Sequence, residues 1–163
     1  MVQMYSLIIS PYSKPLKNGR KNAKNYPFWP ELVAQLQQNN CKITQVGVAG
    51  EDVITGVTST VFNSPLKDLI PIIHSADTWI SVDNFFPHFC ALVARKPGIV
   101  LWGKSDPRIF GHILNINLLK GRHYLKPEQF RWWDDEPFNP EVFVAPEIVV
   151  TTLQESFSYA NSK

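Results

Sequence analysis

Asp83 and Asn84 follow the apolar run Thr78 to Val82 directly and open a helical stretch, with His88 about one turn inside it. A carboxylate, a capping amide and free backbone N–H groups therefore meet at one strand end, where a helix start can hold a phosphate. The plainer use of the same residues is an N-cap plus a local histidine hydrogen bond. Lys24, just ahead of another helical stretch, has two readings as well: a point charge for a ligand phosphate, or a solvated loop lysine. Glu51, in the turn Ala49-Gly50-Glu51, can accept hydrogen bonds from a ribose or simply lie on the surface. Trp132 and Trp133, beside Asp134, Asp135 and Glu136, have the composition of a sugar-stacking platform. Adjacent tryptophans more often plug a core edge, so no chemistry is assigned to them.

These residues need elements to position them. Tyr5 to Ile9 is a short apolar run closed by Ser10-Pro11 and reads as a buried strand. Ser13 to Asn25 carries five Lys or Arg and no acid, and leads into a helix whose Leu32, Val33 and Leu36 have helical spacing. Lys42 to Val48 and Val57 to Phe62 read as strands. Ser64-Pro65 reads as a hydroxyl N-cap with Pro at the first helical position, and Pro71 must kink or shorten the helix it opens. Thr78 to Val82, Pro87 to Ala94 and Gly98 to Trp102 read as strand, helix and strand, a βαβ unit that implies a parallel sheet. Beyond Pro107 the pattern weakens, with one short strand expected near Arg122 to Leu125. Pro146 opens a last amphipathic helix. The stretches Ser6 to Ile9, Ile43 to Val48, Thr78 to Val82 and Ile99 to Trp102 are the expected buried strands. The whole, residues 1–163, reads as a single Rossmann-like α/β domain with a mainly parallel sheet, its ligands beyond the carboxyl ends of the strands.

Composition excludes several classes. Charged residues are 18% and apolar residues 44% of the 163, a globular balance rather than a disordered one. A net charge of +2 gives no global pull toward nucleic acid, although local basic patches fit it. Cys41 and Cys90 stand in no ligand spacing, so reduced thiols and a cytoplasmic setting are expected, with no metal and no cofactor. No run is long enough for a membrane span, and the N-terminus lacks the pattern of a signal peptide. G-x-G-x-x-G, the P-loop pattern and G-x-S-x-G are all missing, so dinucleotide oxidoreductases, P-loop enzymes and common hydrolases lose their local support.

In order along the chain stand Lys24-Asn25-Tyr26-Pro27, Gly47 to Glu51, Ala76-Asp77, Asp83-Asn84-Phe85-Phe86-Pro87-His88, Trp102-Gly103-Lys104-Ser105-Asp106-Pro107 and Pro146-Glu147-Ile148-Val149. This series resembles the C-terminal, donor-binding half of the family 9 glycosyltransferases, the ADP-heptose:lipopolysaccharide heptosyltransferases, and covers nearly the whole chain. The resemblance implies one half of a GT-B fold and a site for a nucleotide-diphosphate sugar. Lys24 would face a donor phosphate, with Ser13 on the loop before it. Glu51 would face the ribose and Asp83 the sugar, while the backbone at Asn84 and Phe85 would surround the diphosphate and His88 would support the turn. Phe85 replaces a family glycine, and a side chain there is expected to crowd the phosphates or close the pocket.

In this family the active cleft lies between two domains, so transfer is expected to need a second subunit or a homo-oligomer. A reading of a different class is a non-catalytic structural or interaction module that retains the glycosyltransferase fold. Its basis is the aromatic segment Phe110 to Phe143, where Phe130, Trp132, Trp133, Phe138 and Phe143 offer more apolar surface than a peripheral segment needs.

Overall fold

A computed structural model of the chain describes residues 3–162, so the extreme ends of the expected 1–163 unit lie outside the described residues. Six strands form one sheet: β1 (Tyr5–Ser10), β2 (Cys41–Gly47), β3 (Ser59–Phe62), β4 (Thr78–Val82), β5 (Ile99–Trp102) and β6 (Ile116–Leu119). Their order is β3-β2-β1-β4-β5-β6, and every pairing is parallel. This is the Rossmann order, built on an α/β alternation, so the sheet must be covered on both faces.

Side chains alternate across each strand, and the two cores follow from that alternation. Leu7, Ile9, Ile43, Ile80, Val82, Ile99 and Leu101 point to one face, covered by α1 (Trp29–Gln38) and α5 (Pro146–Asn161). Ile8, Val46, Trp79, Val100 and Trp102 point to the other, covered by α2 (Leu66–Ser75) and α3 (Phe85–Phe89), which a π turn extends over Cys90–Ala94. Trp79 fills the second core so closely that a Cβ on Gly98 would come within 2.2 Å of its indole ring, and its Nε1 donates to the Lys96 carbonyl at 3.0 Å. Cys41 and Cys90 are buried in opposite cores, and burial pushes their thiols up to about 11 and about 12.

Several expectations need correction. Pro65, not Ser64, precedes α2, and no side chain caps that helix; the Ser64 hydroxyl instead donates to the Pro65 carbonyl. Pro71 does not stop α2, because it lies on the exposed face, where a carbonyl freed by the missing N–H can meet water. Helix α3 starts at Phe85 rather than Pro87, which puts Pro87 in the first turn, where a proline costs no hydrogen bond. Val48 lies beyond β2 and is exposed, and β3 begins only at Ser59. Arg122–Tyr124 forms a single 3₁₀ turn rather than a strand. The strand of that region is β6, an edge strand held only by β5.

Candidate functional site

Strands β1 and β4 are neighbours, yet the chain leaves β1 toward α1 and leaves β4 toward α3, on opposite faces of the sheet. Such a reversal opens a crevice at the carboxyl ends of the strands. Asn84 ties its two lips together. Its Nδ2 donates to Ser10 Oγ at 2.9 Å and to the Tyr12 carbonyl at 3.0 Å. Its Oδ1 accepts from the Phe86 N–H at 2.8 Å and from Ser81 Oγ at 3.1 Å. Asn84 is therefore the N-cap of α3, and the plainer of its two sequence readings describes its side chain. Ser13 is buried, and its hydroxyl donates to the Asp83 carbonyl at 2.6 Å. Its N–H meets Asn25 Oδ1 at 2.8 Å, so the basic loop is held against the end of β4.

Lys24 and Asp83 come together across the crevice, Nζ to Oδ2 at 2.8 Å, with side chains 21% and 8% exposed. The Lys24 ammonium also lies over the Trp133 ring, 4.6 Å from its centroid, and Lys126 approaches the same ring at 5.3 Å. A cavity of about 750 Å³ opens here, lined by Lys14, Lys17 and Lys24 on the basic side, Val46, Val61 and Leu69 on the apolar side, and Trp132 and Trp133 at the rim. That volume is within the range of small-molecule and cofactor pockets. Glu51 lines the same cavity, and its carboxylate lies over the bare Cα of Gly47, where a Cβ would collide with Oε2. This Oε2 is buried and has no hydrogen-bond partner. Burial raises the Glu51 carboxyl above its usual range, opposed by a backbone hydrogen bond at Val48.

Phe85 is 57% exposed and stacks on Phe89, ring centroids 5.6 Å apart. It contributes to the wall of the cavity and leaves it open, so the expected closure does not occur. The His88 side chain, half-buried, turns to His112, Nδ1 to Nε2 at 2.8 Å. Burial lowers the His88 pKa, His112 lowers it further, and Asp83 opposes them. Among the described residues no cluster of three or more His, Cys, Asp or Glu could hold a metal ion, and no helix is long and apolar enough to cross a membrane. Of the sequence candidates, Ser13, Lys24, Glu51, Asp83, Asn84 and Phe85 share one crevice, with His88 just behind it.

Lys14 and Lys17, which the sequence offers only as part of a basic loop, and Trp132 and Trp133, to which it assigns no chemistry, also line the cavity. The uninterrupted basic run from Lys14 to Lys24 was the available signal for the lysines. For Trp133 the local signal is its place beside Trp132 and three carboxylates, but its partner Lys24 is far away in sequence.

The order of the sheet and a crevice at its switch point define a Rossmann-type α/β protein with a ligand-sized cleft. Comparison with solved structures narrows the fold. The chain is similar to ADP-heptose lipopolysaccharide heptosyltransferase II of E. coli, with a TM-score of 0.64 and 14% identity over 93% of this chain. It is also similar to the E. coli heptosyltransferase WaaC solved with ADP, with a TM-score of 0.61 and 16% identity over 94% of the chain. A third likeness is to the dodecameric, iron-containing heptosyltransferase TibC in complex with ADP-D-β-D-heptose, with a TM-score of 0.58 and 15% identity over 90% of the chain. The chain spans 46%, 44% and 37% of those proteins, less than half of each. No family profile matches the chain, and no curated protein matches it in sequence. The fold is thus heptosyltransferase-like, as the order of motifs anticipated.

Proposed function

We propose that the described chain is a single nucleotide-sugar-binding domain whose cleft takes a nucleotide-diphosphate sugar, with transfer completed by a second subunit or a further copy. The observation that carries this reading is the convergence of Lys24, Asp83 and an unpartnered Glu51 carboxylate oxygen on one cavity at the β1/β4 switch point. Glu51 offers its oxygen to the ribose hydroxyls beside the apolar wall of Val46 and Val61. Lys24, with Lys14 and Lys17 nearby, offers positive charge to the diphosphate, which gains negative charge as the glycosidic bond breaks. Asp83 faces the sugar, the Asn84-Phe85 backbone flanks the diphosphate, Ser13 holds the basic loop against the end of β4, and His88 supports the turn.

Isothermal titration with ADP-, UDP- and GDP-sugars tests this reading: one of them should bind, and Lys24→Ala should weaken it by roughly 1 to 3 kcal/mol. No binding at millimolar ligand overturns it. One observation favours the other reading, a module that keeps the fold without transfer. The Lys24 charge is already matched by Asp83 at 2.8 Å, which leaves less net charge for a leaving diphosphate. Binding without any turnover of the bound sugar, in the presence of every candidate partner chain, would select that reading.

A further inference from the structure

The chain between β2 and β3, residues 48–58, forms no helix or strand, yet it has to present Glu51 to the cleft in one place. The backbone groups of such a segment must find their partners outside regular structure. Three side-chain amides supply them. Asn63 Oδ1 accepts from the Ala49 N–H at 3.0 Å, and Gln37 Nε2 donates to the Gly56 carbonyl. Gln45 contributes most: its Oε1 accepts from the Ile54 N–H at 2.8 Å while its Nε2 donates to the Asp52 carbonyl at 2.9 Å. One amide thus gives this stretch the pair of bonds that a neighbouring strand would give it. Glu51 lies between the Asn63 bond at residue 49 and the Gln45 bonds at residues 52 and 54.

Gln45 is out of character with its surroundings. It is fully buried, and strand alternation puts it on the face of β2 that Cys41 and Ile43 turn to the first core. A polar group in such a place costs free energy unless it is hydrogen-bonded, and here both ends of the amide are bonded to the backbone beside Glu51. Glu51 is the second anomaly. Its carboxylate occupies the space over Gly47, with Oε2 buried and unpartnered. A turn free to move would let that oxygen reach water, and the amides on either side keep the turn from moving. We propose that Gln45 is a positioning residue for the ribose contact: from inside the core its amide clamps the 52–54 backbone and so holds the Glu51 carboxylate at the cleft, one oxygen kept for the hydroxyls of a ligand. The inference rests on the reading of the cleft as a nucleotide-sugar site. Asn63 assists from the other end of the turn.

Titration of the Glu51 carboxyl by carbon-detected NMR, in the full chain without ligand, tests the clamp. Burial raises this carboxyl in the folded protein. Gln45→Asn, whose shorter amide cannot reach the 52–54 backbone, should bring it down toward the ordinary glutamate value of about 4.3, because the loosened turn admits water to the carboxylate. Gln45→Leu, which keeps the bulk and removes both hydrogen bonds, should do the same. Isothermal titration with ADP, UDP and GDP, each beside its 2′-deoxy form, then tests the ribose. The wild type should favour a ribonucleotide by about tenfold, the worth of one hydrogen bond to a charged group. Gln45→Asn should cut that preference to about twofold or less, and adding it to Glu51→Gln should change the preference no further. A residue that only satisfied buried backbone would lower stability and weaken both forms alike. An unmoved Glu51 titration in both Gln45 variants, a ribonucleotide preference that survives them, or a chain that folds with neither substitution overturns the inference. A titration that moves while no nucleotide binds at millimolar concentration supports the clamp and overturns the nucleotide reading instead.

Discussion

Asp83 and Asp106 are built from the same ingredients, a carboxylate just past a parallel strand with a basic side chain beside it, and they do opposite things. Asp106 is saturated. Its Oδ1 accepts from the Arg108 N–H at 2.9 Å, capping α4 (Pro107–Phe110), and from Arg122 Nη1 at 3.1 Å, while Oδ2 takes Arg122 Nη2 at 2.7 Å. Its own N–H donates to Gln129 Oε1 at 2.9 Å. A planar guanidinium gripping both oxygens is a staple. Asp83 meets a lysine, a point charge on a flexible stem, and its carboxylate faces a cavity of about 750 Å³. What separates a structural carboxylate from an available one is the number of its lone pairs already committed, and Asn84, next to Asp83, has taken over the capping that Asp106 performs for itself.

The comparison breaks most visibly at Asn84. Asn84→Ala removes the cap and strands Ser10 Oγ and the Tyr12 carbonyl, so unfolding stability should fall by about 2 to 4 kcal/mol in a urea titration. A loss below about 1 kcal/mol would mean that something else holds the crevice together. Next in size are the two aspartates themselves. Asp106→Asn should cost about 1 to 3 kcal/mol of stability with ligand binding intact. Asp83→Asn should change stability by no more than about 1 kcal/mol, because Lys24 can swing into the open cavity, while affinity for a nucleotide sugar falls. Equal stability losses would erase the distinction.

Acid sharpens the contrast. Arg122 and the Arg108 N–H hold the Asp106 carboxyl below its usual range, against the opposing effect of burial. Its folded pKa is therefore depressed relative to the unfolded chain. The stability it contributes is present above the unfolded value near 4 and disappears as pH falls through the folded value. The difference between wild type and Asp106→Asn should be largest near neutral pH and close in acid. A gap that stays constant down to the acid limit would contradict the assignment.

The legible and illegible parts of this chain divide along the same line. Strands β1, β4 and β5 can be read because their short apolar runs suit burial on both faces, and β2 because its residues alternate. The strand-end residues Asp83 and Glu51 follow from where those runs stop. Strand β6 cannot be read: it is a short edge strand whose Asn117 breaks the apolar run, and Asn117 Oδ1 accepts from Trp102 Nε1 at 2.8 Å, a tertiary partnership with no local trace. Asn84 reads correctly as a cap from its neighbours, but its bonds to Ser10 and Tyr12 join residues more than seventy positions apart. Trp133 becomes part of the site only because Lys24 and Lys126 converge on its ring. The aromatic segment likewise divides only in three dimensions, with Phe143 entering the core while Phe130 and Trp132 stay outside.

Glu51 gives the smallest effect and the one most specific to a ligand site. Burial raises its carboxyl pKa in the folded chain, so the protonated form is favoured by folding and the charged form is not. Stability linked to this group is therefore highest below the unfolded glutamate value and falls as pH rises through the raised folded value. At neutral pH the charge is a cost, and Glu51→Gln should make the protein slightly more stable. The side chain is only partly buried, so screening keeps the gain well under about 1 kcal/mol. The same substitution replaces a carboxylate by a weaker acceptor and should weaken the binding of any ligand carrying ribose hydroxyls. Thermal unfolding and titration with a nucleotide sugar on one sample check both signs. A small rise in Tm with loss of affinity marks a residue kept for a ligand at the expense of stability. A fall in Tm with unchanged affinity would make Glu51 a structural turn residue, and the crevice would lose its ribose contact.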